Sequence, residues 1–182
     1  MIELQPAGDP SDAALVGAWQ AGDQRAATIL VRRHAAALGR FLYGAGAPPE
    51  AVEDLVQETF IKAFRGLDGW RGEASFRSWL FRIGSNLRKD HFRRERGRQV
   101  VQLEDTDLPS AADPQGEAEA SETGCRIEGG LATLPRLQRE VFLLRAQQGM
   151  EYDEIALALG TTAGAARVHY HHAVKRLKEL IA

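Results

Sequence analysis

Five side chains between residues 79 and 93 have the types and spacing of a nucleic-acid contact. Arg82, Asn86, Lys89 and Arg93 follow one another at intervals of four, three and four residues, and Trp79 lies about one turn earlier. On a helix with 3.6 residues per turn, these positions form one stripe. Arginine and lysine bind phosphates, asparagine can read base edges, and an aromatic ring can stack on an unpaired base. The stripe therefore predicts contact with an opened nucleic acid, and the alternative interpretation is a solvated basic face.

A second candidate contact lies near the end of the chain, where the residues have helix-turn-helix spacing. A short helix over Tyr152–Leu159 is stopped by Gly160, and Thr161 or Thr162 caps a last helix that reaches Leu180. In this motif the N-terminal part of the second helix enters the major groove of duplex DNA. The same spacing also fits a plain helical hairpin. The side of the last helix predicted to be packed comprises Ala166, Tyr170, Ala173, Val174, Leu177, Leu180 and Ile181. The opposite side comprises Gly164, Arg167, Val168, His171, Lys175 and Lys178.

A third organised face lies on the helix predicted over Glu50–Leu67. Its apolar residues recur at intervals of three and four, which predicts a buried stripe. A polar stripe runs beside it. This stripe is either a solvated surface or a docking surface for a partner, and it consists of Asp54, Gln57, Glu58, Ile61 and Arg65.

The elements that carry these faces are all helical, because hydrophobic spacing is helical nearly everywhere and no alternating strand pattern is evident. Ser75 is a plausible N-cap for the helix that bears the first stripe. Gly84 within that helix is unusual, since glycine costs about 1 kcal/mol relative to alanine. The predicted helices of the N-terminal half are Asp12–Ala21, Asp23–Tyr43, Glu50–Leu67 and residues 76 to about 96.

Charge divides the chain into blocks, although the net charge of the 182 residues is only −2. Residues 60–98 contain eleven basic and four acidic side chains, whereas residues 102–128 contain one basic and eight acidic side chains. The acidic block is also rich in alanine and proline and has little to bury, which predicts a flexible, self-repelling linker. The sequence thus predicts two small helical domains, over residues 1–98 and 130–182, joined by an acidic linker over residues 99–129.

Several classes of protein are disfavoured. No apolar run approaches the roughly 20 residues needed to cross a bilayer, and the N-terminus is polar and acidic, so we expect a cytoplasmic protein. A single cysteine, Cys125, excludes an internal disulfide and a multi-cysteine zinc site. His169 and His172 could share an ion across one turn, but no third ligand is evident nearby. Without a catalytic motif, the expectation is a protein that is not an enzyme and needs no metal or cofactor.

Two long segments resemble a known family. Residues 54–60 (DLVQETF) together with residues 76–86 (FRSWLFRIGSN) resemble the second conserved region of bacterial sigma factors, in the extracytoplasmic-function group of the sigma-70 family. Residues 134–145 (LPRLQREVFLLR) and residues 152–156 (YDEIA) resemble the fourth region of the same proteins. The similarity covers nearly everything except the linker. It implies an all-α factor that directs RNA polymerase to promoters, opens the DNA and allows transcription to start.

The resemblance also implies roles for the three faces. Polymerase contacts, on the clamp helices of the β′ subunit, would be made by Asp54, Gln57, Glu58, Ile61 and Arg65. The −10 promoter element, read as a single strand, would be contacted by Arg71, Ser75, Phe76, Trp79, Arg82, Asn86, Lys89 and Arg93. The −35 element, read as a duplex, would be contacted by Thr162, Arg167, Val168, His171, His172 and Lys175. The implied partners are core RNA polymerase (β′ clamp helices and β flap), promoter DNA and an anti-sigma factor, with no small-molecule substrate.

This chain departs from the family where the last helix carries histidines in place of further arginine or lysine. Fewer fixed charges weaken phosphate contact, and histidine titrates near neutrality, so contact there could depend on pH. Two other classes stay open. A sigma-like decoy that sequesters an anti-sigma factor would not need the stripe that contains Trp79. A stand-alone helix-turn-helix regulator would not need the face that contains Asp54 and Arg65.

Overall fold

The computed structural model describes residues 9–70, 72–103 and 129–181, without the side chains of residues 96, 98–103 and 181. All regular elements in these ranges are helical, which confirms the predicted all-α class. The long helices are α1 (Asp12–Gln20), α2 (Gln24–Gly44), α3 (Pro49–Gly66) and α4 (Phe76–Leu103), with a 3₁₀ turn at Leu67–Gly69. After the undescribed segment come α5 (residues 129–133), α6 (Arg136–Phe142), a π-helical turn (Leu143–Gln147), α7 (Tyr152–Leu159) and α8 (Ala163–Ile181).

Helix boundaries in the first half follow from local chemistry. The Asp23 side chain accepts a hydrogen bond from the Arg25 amide at 2.9 Å and caps α2. After α2 the chain turns at Gly46, whose φ of 97° is unfavourable for a residue with a Cβ. Pro49 then opens α3 as its first residue, where its missing N–H costs nothing. These signals explain why the predicted bounds of α2 and α3 agree closely with the observed ones.

Aromatic and aliphatic side chains from α2, α3 and α4 form the core of the first domain. Leu38, Phe41, Phe60, Leu80 and Phe81 are all buried. The rings of Phe41 and Phe81 lie 5.3 Å apart and are tilted by 54°, a favourable aromatic arrangement. Burial of each large side chain stabilises the fold by about 1.5–3 kcal/mol. The core therefore fixes α4 against α2 and α3.

Gly84 has a packing role that the sequence did not reveal. A Cβ at this position would lie 2.9 Å from Leu38 Cδ1 and 3.4 Å from Thr59 Oγ1. The glycine therefore allows α4 to approach α2 and α3 closely. Its low helix propensity is offset by this packing.

The second domain wraps α6, α7 and α8 around a smaller core that contains Leu144, Ile155 and Ala166. Gly160, with a φ of 68°, ends α7 and turns the chain into α8. The predicted packed side of α8 is correct for Ala166, Ala173 and Leu177. It is wrong for Leu180, which is 49% exposed because the last turn of the helix extends beyond the core.

The two domains pack against each other along a seam between α4 and the α6–α7 region. The Arg88 guanidinium bonds the Glu140 carboxylate, and these residues are 3% and 0% exposed. Arg88 also donates to the Ala45 carbonyl at 2.9 Å. On the same seam, the Leu143 side chain packs against the backbone of Gly44. The seam is thus partly apolar and partly held by a buried ion pair.

The helix α4 continues to Leu103, seven residues beyond its predicted end near Arg96. Most of the predicted linker, from residue 104 to residue 128, lies outside the described residues, as does Cys125. The domain limits at residues 98 and 130 remain predictions. No helix in the described ranges is long and apolar enough to cross a membrane.

Candidate nucleic-acid and partner-binding faces

The predicted stripe on α4 is largely on the surface. Ser75 caps the helix as predicted, because its hydroxyl accepts the amide of Ser78 at 3.1 Å. The side chains of Arg82, Asn86 and Arg93 are exposed. Three of the predicted single-strand contacts therefore lie together on one accessible side of a rigid helix.

Trp79 and Phe76 differ in exposure. Trp79 is half-buried, with its ring centroid 6.1 Å from that of Phe76. Phe76 is only 1% exposed and packs beside His34 at a centroid distance of 5.6 Å. Its predicted DNA contact is therefore not available in this conformation, and the ring serves the core. Arg71, predicted to act beside them, lies outside the described residues.

The second domain engages two further members of the predicted −10 set. The Ser75 hydroxyl donates to Glu154 Oε1 at 3.0 Å, across the seam. Lys89 is half-buried at the seam, and burial is the main cause of its lowered pKa. Sequence reasoning assigned these residues to DNA alone, because a contact between residues more than 50 positions apart leaves no periodic signal.

Sequence reasoning also missed Arg88 and Arg77, which connect the domains. Arg88 was counted only as part of the basic block, yet it lies four and seven residues after the buried positions Gly84 and Phe81. That spacing was the available signal that Arg88 faces inward. Arg77 donates to the backbone carbonyl of Gln148 in the second domain.

The predicted face on α3 is present and exposed. Asp54, Gln57 and Arg65 are exposed, and Ile61 is 50% exposed in the middle of them. Glu58 lies on the same side and bonds Lys62 at 3.2 Å. A large aliphatic side chain surrounded by polar groups on a rigid helix is a suitable centre for a protein contact.

The predicted face on α8 is also exposed. Thr162 caps the helix by accepting the Ala165 amide at 3.1 Å, so the first turn is fixed. The exposed side chains that share the following turns are Arg167, Val168 (52% exposed), His171, His172 and Lys175. This arrangement of α7, a tight turn and α8 is a helix-turn-helix whose second helix presents its first two turns to a groove.

An aromatic side chain supports the first of these residues. The Arg167 guanidinium lies over the ring of Tyr152 at 5.2 Å, and Arg145 lies 5.0 Å from the same ring centroid. Arg145 also bonds Glu151 at 2.9 Å, which is the main cause of its raised pKa. Tyr152 and Arg145 were not predicted as part of this face. Their contribution depends on the packing of α7 against α8, which leaves no local signal in the sequence.

Across residues 9–70, 72–103 and 129–181, no group of three histidine, cysteine, aspartate or glutamate side chains is arranged to hold an ion.

Comparisons with known proteins find relatives and solved structures that match both domains of this chain. The family model for sigma-70 region 2 matches residues 30–98, and the model for sigma-70 region 4 matches residues 126–177. The chain is 37% identical to RNA polymerase sigma factor NccH of Alcaligenes xylosoxydans xylosoxydans, covering 95% of this chain and 96% of NccH. It is 34% identical to the ECF RNA polymerase sigma factor SigE of Mycolicibacterium smegmatis, covering 98% of this chain and 71% of SigE. The solved structure of CnrH in complex with the cytosolic domain of CnrY has a TM-score of 0.72 and 32% identity, covering 94% of this chain and 97% of CnrH.

Proposed function

The chain belongs to the extracytoplasmic-function group of the sigma-70 family, the RNA polymerase sigma factors that direct promoter recognition and transcription initiation, and from this we propose which residues perform each step. One observation carries the assignment. Two exposed, cation-bearing helix faces lie on separate domains, on α4 and on α8, and a third, mixed face lies on α3.

The α4 face reads the −10 element after the duplex opens. Unpaired bases offer π-faces, and the half-buried Trp79 is positioned to stack on one of them. Arg82 and Arg93 supply phosphate contacts, and Asn86 is placed to reach a base edge. Ser75 and Lys89 join this surface when the second domain moves off α4.

The α8 face reads the −35 element as intact duplex. A helix fits the major groove of B-form DNA, and the second turn of α8, which follows the capped first turn, presents Arg167 and Val168 to the bases. His171, His172 and Lys175 follow along the helix toward the sugar–phosphate backbone. The cation–π contact with Tyr152 restricts the Arg167 side chain, which reduces the entropy lost when it binds.

The α3 face docks on core polymerase, at the β′ clamp helices, while the second domain contacts the β flap. Ile61 is the apolar anchor, and Asp54, Gln57, Glu58 and Arg65 form the polar rim around it. This division agrees with the usual anatomy of a protein interface, in which a desolvated centre is enclosed by polar groups.

Charge reversal on α3 tests this docking. Asp54→Arg and Ile61→Arg should each weaken binding of the labelled protein to purified core enzyme by about tenfold or more, measured by fluorescence anisotropy. Asp153→Arg is the matched control, because Asp153 is an exposed acidic residue on α7, away from the proposed face. Equal losses in all three variants would show that net charge, and not this face, determines binding.

The polymerase performs the chemistry, so the chain itself has no catalytic role and acts in the cytoplasm with its template. We also assign it an anti-sigma partner. CnrH, which shares this fold at 32% identity, was solved in complex with the cytosolic domain of CnrY. A partner of that kind would cover the exposed faces of both domains and keep them from polymerase and DNA.

Run-off transcription separates this function from the two alternatives. Purified core enzyme with the chain should transcribe specific fragments of a genomic library, and core enzyme alone should not. A decoy would bind its anti-sigma factor and give no transcripts. A stand-alone regulator would bind duplex fragments in the absence of core enzyme and would not be affected by Ile61→Arg.

A further inference from the structure

A cavity of about 470 Å³ lies at the seam between the two domains. Arg88, Lys89 and Arg93 of α4 line one side, and Arg136 and Arg139 of α6 line the other. Phe92 contributes an apolar wall. The volume is within the range of about 300–1,000 Å³ that is usual for small-molecule sites.

The cations of this cavity outnumber the carboxylates that accompany them. Glu140 bonds Arg88 and lies 3.5 Å from Arg136 Nη1, so one buried carboxylate serves two guanidinium groups. Asp90 accepts from Arg93 at 3.0 Å. The two carboxylates pair with three of the five cations that line the cavity. Such a concave surface, in which cations predominate, concentrates anions.

Several polar atoms that line this cavity also lack hydrogen-bond partners. The Nε atoms of Arg88 and Arg139 are buried without an acceptor, and Glu140 Oε2 is buried beside them without a donor. Lys89 makes no hydrogen bond or ion pair within the part of the chain that the structure describes, and burial lowers its pKa. Buried polar groups in folded proteins are normally paired, so these atoms indicate missing partners, and the guanidinium and ammonium donors among them require an acceptor.

We propose that this cavity binds an oligophosphate, with the phosphate chain of a nucleotide as the fitting chemistry. Arginine forks bind phosphate oxygens in pairs, and lysine adds a point charge. Several guanidinium groups around one cavity suit two or more linked phosphates better than a single one. A short phosphate chain also fits the available volume.

Because both domains line the cavity, an occupant contacts both and favours their packed arrangement over a separated one. A ligand shifts such an equilibrium by its difference in affinity for the two states. This consequence depends only on the observed packing of α4 on α6, and it does not depend on the proposed promoter contacts.

Isothermal titration calorimetry of the full chain with tripolyphosphate tests the site, with orthophosphate for comparison. We expect one bound tripolyphosphate per chain, about tenfold or more tighter than orthophosphate. Arg136→Ala should weaken tripolyphosphate binding by about tenfold or more. The Arg136 side chain is 55% exposed, so this variant should keep its fold, which circular dichroism checks.

Arg94→Ala is the matched control, because Arg94 is exposed on α4 and does not line the cavity. Equal weakening by Arg94→Ala and Arg136→Ala would reduce the effect to general electrostatic attraction and overturn the proposal. A third titration uses a short single-stranded DNA. If Arg136→Ala weakens DNA binding as much as tripolyphosphate binding, the phosphates belong to nucleic acid and the proposed ligand class is wrong.

Discussion

Trp79 is held where it can stack on a base without leaving its own domain. Part of the indole packs beside Phe76, and the backbone of Gly66 allows the ring to approach, since a Cβ there would lie 3.2 Å from Trp79 Cζ2. The remainder of the ring is accessible. A ring fixed in this way loses little conformational entropy on binding, so in the proposed −10 contact most of the stacking free energy would be available for holding DNA open.

Replacement of Trp79 by alanine should therefore impair promoter opening more than initial binding. Loss of one stacked base costs about 1–3 kcal/mol, so the fraction of open complex should fall by roughly tenfold, with duplex binding little changed. Permanganate reactivity of unpaired thymines measures opening, and a filter-binding assay at low temperature measures the closed complex. Trp79→Phe should recover part of the loss. Equal losses in both assays would mean that Trp79 is only a core residue.

For Gly84→Ala, packing predicts a loss of stability, whereas helix propensity alone would predict a gain. Gly84→Ala should destabilise the first domain by about 1–3 kcal/mol, because the new methyl group is forced against Leu38. Gly97→Ala on the same helix meets no atom within 4 Å and should be neutral or stabilising by up to about 1 kcal/mol. Urea unfolding of both variants checks the contrast. A stabilised Gly84→Ala variant would show that α4 can shift without cost.

At the level of helices, the features that could be predicted are those that leave a local signal in the sequence. The cap at Ser75 and the periodic apolar residues placed both ends of α2 and α3 and the start of α4 within about one residue of their observed limits, whereas α4 ends seven residues beyond its predicted end. The exposed faces of α3 and α8 followed from the same periodicity. The π-helical turn at Leu143–Gln147 and the burial of Arg88 could not be predicted, because they depend on packing between distant segments.

The attachment of α1 to α2 depends on a buried histidine. His34 Nε2 lies 2.7 Å from Asp12 Oδ2, and Asp12 also bonds Arg33 at 2.6 Å. Burial lowers the pKa of His34 below 6.5, against the opposing effect of Asp12, while Arg77 and Arg33 lower it further. The unfolded chain therefore binds the proton more readily than the folded one. The stability that His34 contributes is complete above pH 6.5 and is lost as the pH falls through the lower folded pKa.

His34→Gln should flatten this dependence. Between about pH 7.5 and pH 5.5, the free energy of unfolding should fall less in His34→Gln than in the parent chain, because glutamine does not titrate. Urea unfolding at each pH gives the comparison, and the exposed His171→Gln is the control. Identical slopes in His34→Gln and the parent chain would show that other groups determine the response to acid.

At the scale of the whole molecule, the seam between the domains determines which of the predicted contact residues are accessible. It engages Ser75 and partly buries Lys89, which the sequence assigned to DNA, and it leaves the α3 and α8 faces open. In the promoter contacts proposed above, the domains bind separated elements, and Ser75 and Lys89 have to be released from the seam. The packed arrangement and the promoter-binding arrangement therefore differ at the seam, and its strength determines how readily the chain changes between them.

The buried ion pair between Arg88 and Glu140 allows this strength to be measured. Arg88→Ala removes the closest partner of the buried Glu140 carboxylate and leaves it the more distant Arg136, Lys89 and Arg139, at a cost of up to about 3–5 kcal/mol for a buried charge that loses its hydrogen-bonded partner. Separation of the domains would lower this free-energy cost, because it returns the Glu140 carboxylate to water. Small-angle X-ray scattering should therefore show a larger radius of gyration for Arg88→Ala than for the parent chain.

The double variant Arg88→Met/Glu140→Met should restore the compact form, because apolar side chains of similar size replace a buried pair with little loss. An unchanged radius in Arg88→Ala would mean that the apolar contacts of Gly44 and Leu143 hold the seam without the ion pair.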